Sequence, residues 1–169
     1  MWTRWVRAFA VLSGTVLVHE LAHAVAAWRM GGRVQEVAVG FGPRLLAGRV
    51  GGTTISLRPL LVGGFAAIDV DALPPARRIP VLLAGPFANL LVGLLLLPRS
   101  VAPETLRAIA GPRPARMQLA GVVGAMALLL RAGDLSALRF LAAQINLSVG
   151  LANLLPLMPL DGGHLALAS

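Results

Sequence analysis

The stretch GTVLVHELAHAVAAW, residues 14–28, sets two histidines and a glutamate inside a run otherwise apolar enough to cross a membrane. The apolar run extends over residues 8–28 and is long enough to cover about 30 Å of hydrocarbon. Ionisable groups within a span are expensive, and where they occur they usually serve function. His19 and His23 stand four residues apart. On a helix that is about 40° of rotation, so both imidazoles can reach one ion. Glu20, next to His19, can approach a water on that ion as general base. Arg4 and Arg7 ahead of the apolar run raise the question of a signal peptide. The run is too long for a signal core, and cleavage at its small residues would cut through the histidine pair, so a retained transmembrane helix is expected.

Composition agrees with a membrane setting. Of the 169 residues, 57% are hydrophobic and only 13% are charged, against about a quarter in soluble domains. Mean hydropathy is +0.79. The absence of cysteine excludes disulfides and thiolate metal sites. All 15 basic residues are arginine and the net charge is +8. A nucleic-acid binder would cluster its arginines beside aromatics on a polar surface. Here they punctuate apolar runs, as membrane-flanking loops facing anionic lipid do. Nucleic acid is therefore not an expected partner; the lipid bilayer is.

By length the chain is one domain. Trp2 and Trp5 before the first span and Trp28 at its end suit interfacial anchors. Residues 29–78 are rich in glycine, with short alternating runs at 34–39 and 53–57, and predict a small sheet or hairpin at the membrane surface. A second span is expected over 79–97. A link over 98–116 follows, then a 14-residue apolar piece at 117–130, then a third apolar stretch over 137–160. Fourteen residues suit a re-entrant or interfacial segment. The arginines of 29–78 and of 99–135 are similarly dense, so positive-inside counting leaves the orientation open.

Two histidines leave a catalytic zinc site one ligand short. The candidates are His164 and the acids Glu36, Asp69, Asp71, Glu104, Asp134 and Asp161. Context favours Asp161 in NLLPLMPLDGGH, residues 153–164. Pro156 and Pro159 should break the last apolar helix, and Gly162 and Gly163 allow a tight turn that could hold the carboxylate inward. Alone, Asp161 reads as a turn aspartate; beside an intramembrane HExxH it reads as a ligand. His164 stays an alternative, three residues nearer the interface. If Asp161 is the ligand, the first and last helices must cross in the same direction. That predicts three spans, with 117–130 not crossing.

These motifs in order resemble the site-2 protease family of intramembrane zinc metalloproteases, in its bacterial regulated-intramembrane-proteolysis branch. The resemblance runs through HExxH, GFGPRL (40–45), RPLLVGGF (58–65), AGPFANLLVG (84–93) and NLLPLMPLDGGH. It implies a mainly α, polytopic membrane protein of about three transmembrane helices, a re-entrant or interfacial segment and a small membrane-associated β region. It implies that His19, His23 and Asp161 bind Zn2+, that Glu20 activates water, and that Asn153 positions substrate or stabilises the oxyanion. The implied substrate is a transmembrane protein. The implied place is the bacterial inner membrane, with the site opening towards the cytoplasm. Asn89 serves the site or merely bonds a neighbouring helix. Gly63, Gly64 and Phe65 form either an edge that captures an unwound substrate strand or a packing turn. Residues 98–116 are too few for the PDZ domain common in this branch, and members commonly carry a further helix after DGG, where this sequence ends at Ser169. Two rivals stay open: a metal-handling membrane protein, and a scaffold that kept the motif without activity.

Overall fold

The computed structural model describes residues 2–98, 130, 133–155 and 161. The short apolar piece at 117–130, apart from Leu130, and most of the 98–116 link lie outside them, as do Glu104, Gly162, Gly163 and His164. The described elements are α1 (Trp2–Arg29), β1 (Val34–Phe41), β2 (Leu46–Val50), β3 (Thr53–Leu57), β4 (Leu60–Ile68), α2 (Pro75–Leu96) and α3 (Leu135–Asn153). All three helices are long and apolar enough to cross a bilayer.

Helix α1 buries one stripe: Ala8, Leu12, Thr15, His19, His23 and Ala27, spaced three or four residues apart. The packing face of the helix is therefore also its histidine face. Trp2, Val6, Leu21, Val25 and Trp28 lie exposed, which suits a surface solvated by lipid. Helix α2 starts at Pro75, four residues before the expected span, with proline preset for the first helical turn. Helix α3 starts at Leu135, where the Asp134 side chain accepts from the Ala137 amide at 2.7 Å. It ends at Asn153, short of the expected residue 160. The amides of Leu154 and Leu155 fold back onto Leu151 and Ala152, three residues behind them, in a tightened last turn. Pro156 follows and disfavours helical backbone at the residue before it.

Glycines let α2 and α3 approach closely, as small residues do between membrane helices. A Cβ at Gly93 would lie 2.6 Å from the Leu147 side chain, and one at Gly150 2.8 Å from the Pro86 carbonyl. Asn146 on α3 donates to Thr15 Oγ1 on α1 at 3.0 Å, tying the third helix to the first one turn before His19.

The strands form one mixed sheet, ordered β2-β3-β1-β4. The expected runs at 34–39 and 53–57 are β1 and β3, which pair in parallel. β2 and β3 form a hairpin closed by Gly51 and Gly52, whose φ values of 55° and 87° are those a two-residue turn needs. β4 pairs antiparallel with β1 and takes the outer position. The two faces of β1 differ. Val37, 1% exposed, packs with Ala24, Ala27, Val34, Leu73 and Val81 in the core that joins sheet, α1 and α2. Glu36 points the other way and accepts from Arg44, from Ser56 Oγ at 2.6 Å and from Arg58 at 2.9 Å. Arg58 also lies over the Phe65 ring, 5.0 Å from its centroid, and so links Glu36 to β4.

Arg44 first, then Ser56 and Arg58, hold the Glu36 carboxylate down at about 2. An unfolded glutamate titrates near 4.3, so between about pH 4 and pH 2 the unfolded sheet binds more protons than the folded one. The stability from this cluster is complete above that window and is lost as pH falls through it. We expect the protection factors of amides in β1, β3 and β4 to fall between pH 4.5 and 2.5 in the wild type. In Glu36→Gln they should already be low at pH 4.5 and change little on acidification; equal pH dependence of protection in the two would refute this account.

Candidate metal centre

Three donor atoms from distant parts of the chain converge beside α1. His19 Nε2 lies 3.0 Å from His23 Nε2 and 3.0 Å from Asp161 Oδ2, and His23 Nε2 lies 3.3 Å from the same oxygen. Helix α2 closes over the two rings at Gly85. A Cβ there would collide with His23 Nε2 and stand 2.8 Å from the His19 ring. One turn farther on, Asn89, fully buried, places its amide 3.1 Å from His19 Nδ1.

The outward nitrogens define what the inward ones can do. His23 Nδ1 lies 2.7 Å from the Val81 carbonyl, which can only accept, so the proton sits on Nδ1 and Nε2 presents its lone pair. At His19 the same division requires Asn89 to offer its oxygen. With the NH2 group turned to the ring, that oxygen is buried without a partner; turned over, it accepts from Nδ1–H. Both rings then direct lone pairs at each other and at a carboxylate oxygen. Three acceptors about 3 Å apart repel one another unless a cation lies between them. Four-coordinate zinc with bonds of 2.0–2.2 Å sets its ligand atoms roughly 3.3–3.5 Å apart, close to what these atoms show. The residues present fit the metal: two imidazoles, a carboxylate, and outer partners that orient each ring.

Glu20 is partly buried on the same helix, and its Oε2 accepts from the Ala66 amide of β4 at 2.7 Å. Gly63 and Gly64 lie in β4 where a side chain would meet the Phe41 ring or the Ala38 carbonyl, and the Phe65 ring stacks near Phe41. Asn153 donates to the Val149 carbonyl of its own helix at 3.0 Å, and no contact joins it to the three donors. Among the described residues, three other acids are occupied elsewhere: Glu36 in the arginine cluster, Asp71 with Arg78 at 3.4 Å, and Asp134 capping α3. Asp69 lies exposed.

Comparison with known proteins gives the family. The model of Peptidase family M50 matches residues 7–169. The chain belongs to the M50 peptidases, the site-2 protease family. It is 36% identical to a predicted zinc metalloprotease of Clostridium perfringens over 53% of this chain and 30% of that protein. It is 35% identical to one of Nostoc sp. over 71% of this chain and 37% of that protein. With the zinc metalloprotease Rip1 of Mycolicibacterium smegmatis it shares 34% identity, over 53% and 27% of the two chains. The chain thus spans about a third of the length of these relatives.

Several parts of this site have no signature in a side-chain pattern. The Val81 carbonyl and the Ala66 amide are backbone groups that only packing brings near a histidine and a glutamate. Gly85 could have been found, because it sits in the quoted 84–93 motif four residues before Asn89. Asn146 could also have been found, as an amide within an apolar helix. We expect His23→Ala and Asp161→Ala to lose stoichiometric zinc, and Asn89→Ala to weaken zinc binding about 10–100-fold. Gly85→Ala should weaken it at least as much by forcing the rings apart. Chelator competition on detergent-purified protein measures all four; full zinc affinity in Gly85→Ala would show that the rings are not held by α2.

Proposed function

We propose that this chain is a zinc-dependent intramembrane endopeptidase that hydrolyses a peptide bond within a transmembrane segment of a membrane-protein substrate, as in regulated intramembrane proteolysis. The observation that carries this reading is the convergence of Asp161 with His19 and His23, which share with Glu20 a helix apolar enough to cross a bilayer. Bound among those three atoms, zinc supplies Lewis-acid polarisation of the scissile carbonyl and acidifies a water. Glu20 takes the water's proton and delivers it to the leaving amine. The apolar surroundings keep bulk water away and strengthen each of these interactions.

A substrate helix has its backbone bonds satisfied internally and must unwind before attack. In this reading the unwound segment adds to the outer edge of β4, beside Gly63, Gly64 and Phe65, which supplies backbone partners that the bilayer cannot. Family resemblance supports a substrate-positioning part for Asn153 and a site that opens towards the cytoplasm from a bacterial inner membrane.

The test is cleavage of a model transmembrane segment by detergent-purified protein, with zinc content measured in the same samples. Glu20→Gln should keep its zinc and lose about 10²–10⁴ in rate. Replacing helix-breaking residues of the segment with leucine should slow cleavage by the wild type. If Glu20→Gln and wild type cleave equally, or neither cleaves while both hold zinc, the chain is a metal-binding scaffold and the reading fails.

A further inference from the structure

The outer edge of β4 is already in use. β1 satisfies the inner side of the strand, and among the described residues no strand pairs with the other. Helix α1, packed on the core face of the sheet, reaches that edge with two side chains. Ser13 donates to the Leu61 carbonyl at 2.9 Å, and Glu20, seven residues later, accepts from the Ala66 amide at 2.7 Å. Seven residues are close to two helical turns, so both side chains lie on one face of α1. Gly64 keeps helix and strand close, since a Cβ there would stand 3.3 Å from Val16 of α1 and collide with the Ala38 carbonyl.

An incoming strand needs the same amide. Outward N–H groups recur at every second residue of an edge strand, and Ala66 supplies one of them. One N–H serves one strong acceptor. It cannot hold the Glu20 carboxylate and a substrate carbonyl together at full strength.

We propose that the Ala66 amide is a latch shared between Glu20 and the substrate. With the edge empty it holds Glu20. When an extended substrate segment adds to β4, its carbonyl takes the N–H and the Glu20 carboxylate is released to accept a proton from water. The proposal rests on Glu20 being the general base. A carboxylate is a stronger acceptor than a neutral carbonyl, so a single contact does not open the latch. Several strand bonds forming together do. Peptides too short to pair with the edge then leave Glu20 in place, and base activation is reserved for unwound segments.

Ala66→Pro removes this donor at a position where edge strands tolerate proline, because the N–H is not part of the β1 ladder. Replacing the Ala66 amide with an ester, by incorporating lactic acid at that position, does the same without a ring and serves if the proline variant misfolds. We expect either change to lower kcat/KM for a transmembrane segment up to about tenfold, the worth of a lost hydrogen bond. Hydrolysis of a blocked dipeptide amide should rise instead. Independently of activity, the Ala66 amide should exchange at least tenfold faster in Glu20→Ala, and an extended substrate-derived peptide should restore its protection. A fall for both substrates would make the amide a fixed support of Glu20, and no change for either would make it structural. Both results overturn the latch while leaving Glu20 as the base. Equal cleavage by Glu20→Gln and wild type would overturn the base itself.

Discussion

Lone pairs pointed at one another among buried and half-buried side chains are the constraint on which this structure depends. The Val81 carbonyl and the Asn89 amide commit the outer nitrogens of His23 and His19, so the inner nitrogens face each other and Asp161 as acceptors. In water such a cluster would be screened or protonated. Between apolar helices it calls for a cation, and the packing of α2 at Gly85 keeps the rings from swinging apart. The core that joins Ala24, Ala27, Val37 and Val81 is thus also what seats the Val81 carbonyl on His23.

The sheet belongs to the same device. Its core face packs on α1 and its other face is fastened by Glu36 with Arg44, Ser56 and Arg58. Charged residues on that polar face stabilise the sheet through charge-assisted bonds, which are roughly twice as strong as neutral ones. Arg58, stacked on Phe65, carries the fastening to the strand whose next residue holds Glu20. His19, His23 and Glu20 sit on one helix, but their outer partners come from α2 and from β4.

Much of this was legible in advance, for identifiable reasons. A membrane span shows itself through length and hydropathy alone, and an HExxH pair shows itself through helical period, so α1 and its histidines could be placed without coordinates. The β1 and β3 runs alternate as half-buried strands do. β4 was less legible, because LLVGGFAAI neither alternates nor avoids glycine, and its place at the sheet edge depends on pairing with β1. The end of α3 was placed too late, since apolar residues continue past Asn153 while Pro156 already disfavours helix at the residue before it.

The sequence by itself determined that His19 and His23 share one face of a helix apolar enough to cross a membrane, and it narrowed the third donor to His164 and a few acids. It also excluded thiolate chemistry, because there is no cysteine. Only the tertiary structure decided that Asp161 Oδ2 meets the two histidines, that Asn89 and Val81 orient the rings, that Asn153 turns back on its own helix, and that Glu20 is held by β4. The reason is physical. Side-chain chemistry and helical period are local and can be read along the chain, whereas backbone carbonyls and amides are the same at every residue and gain a role only from what is packed against them.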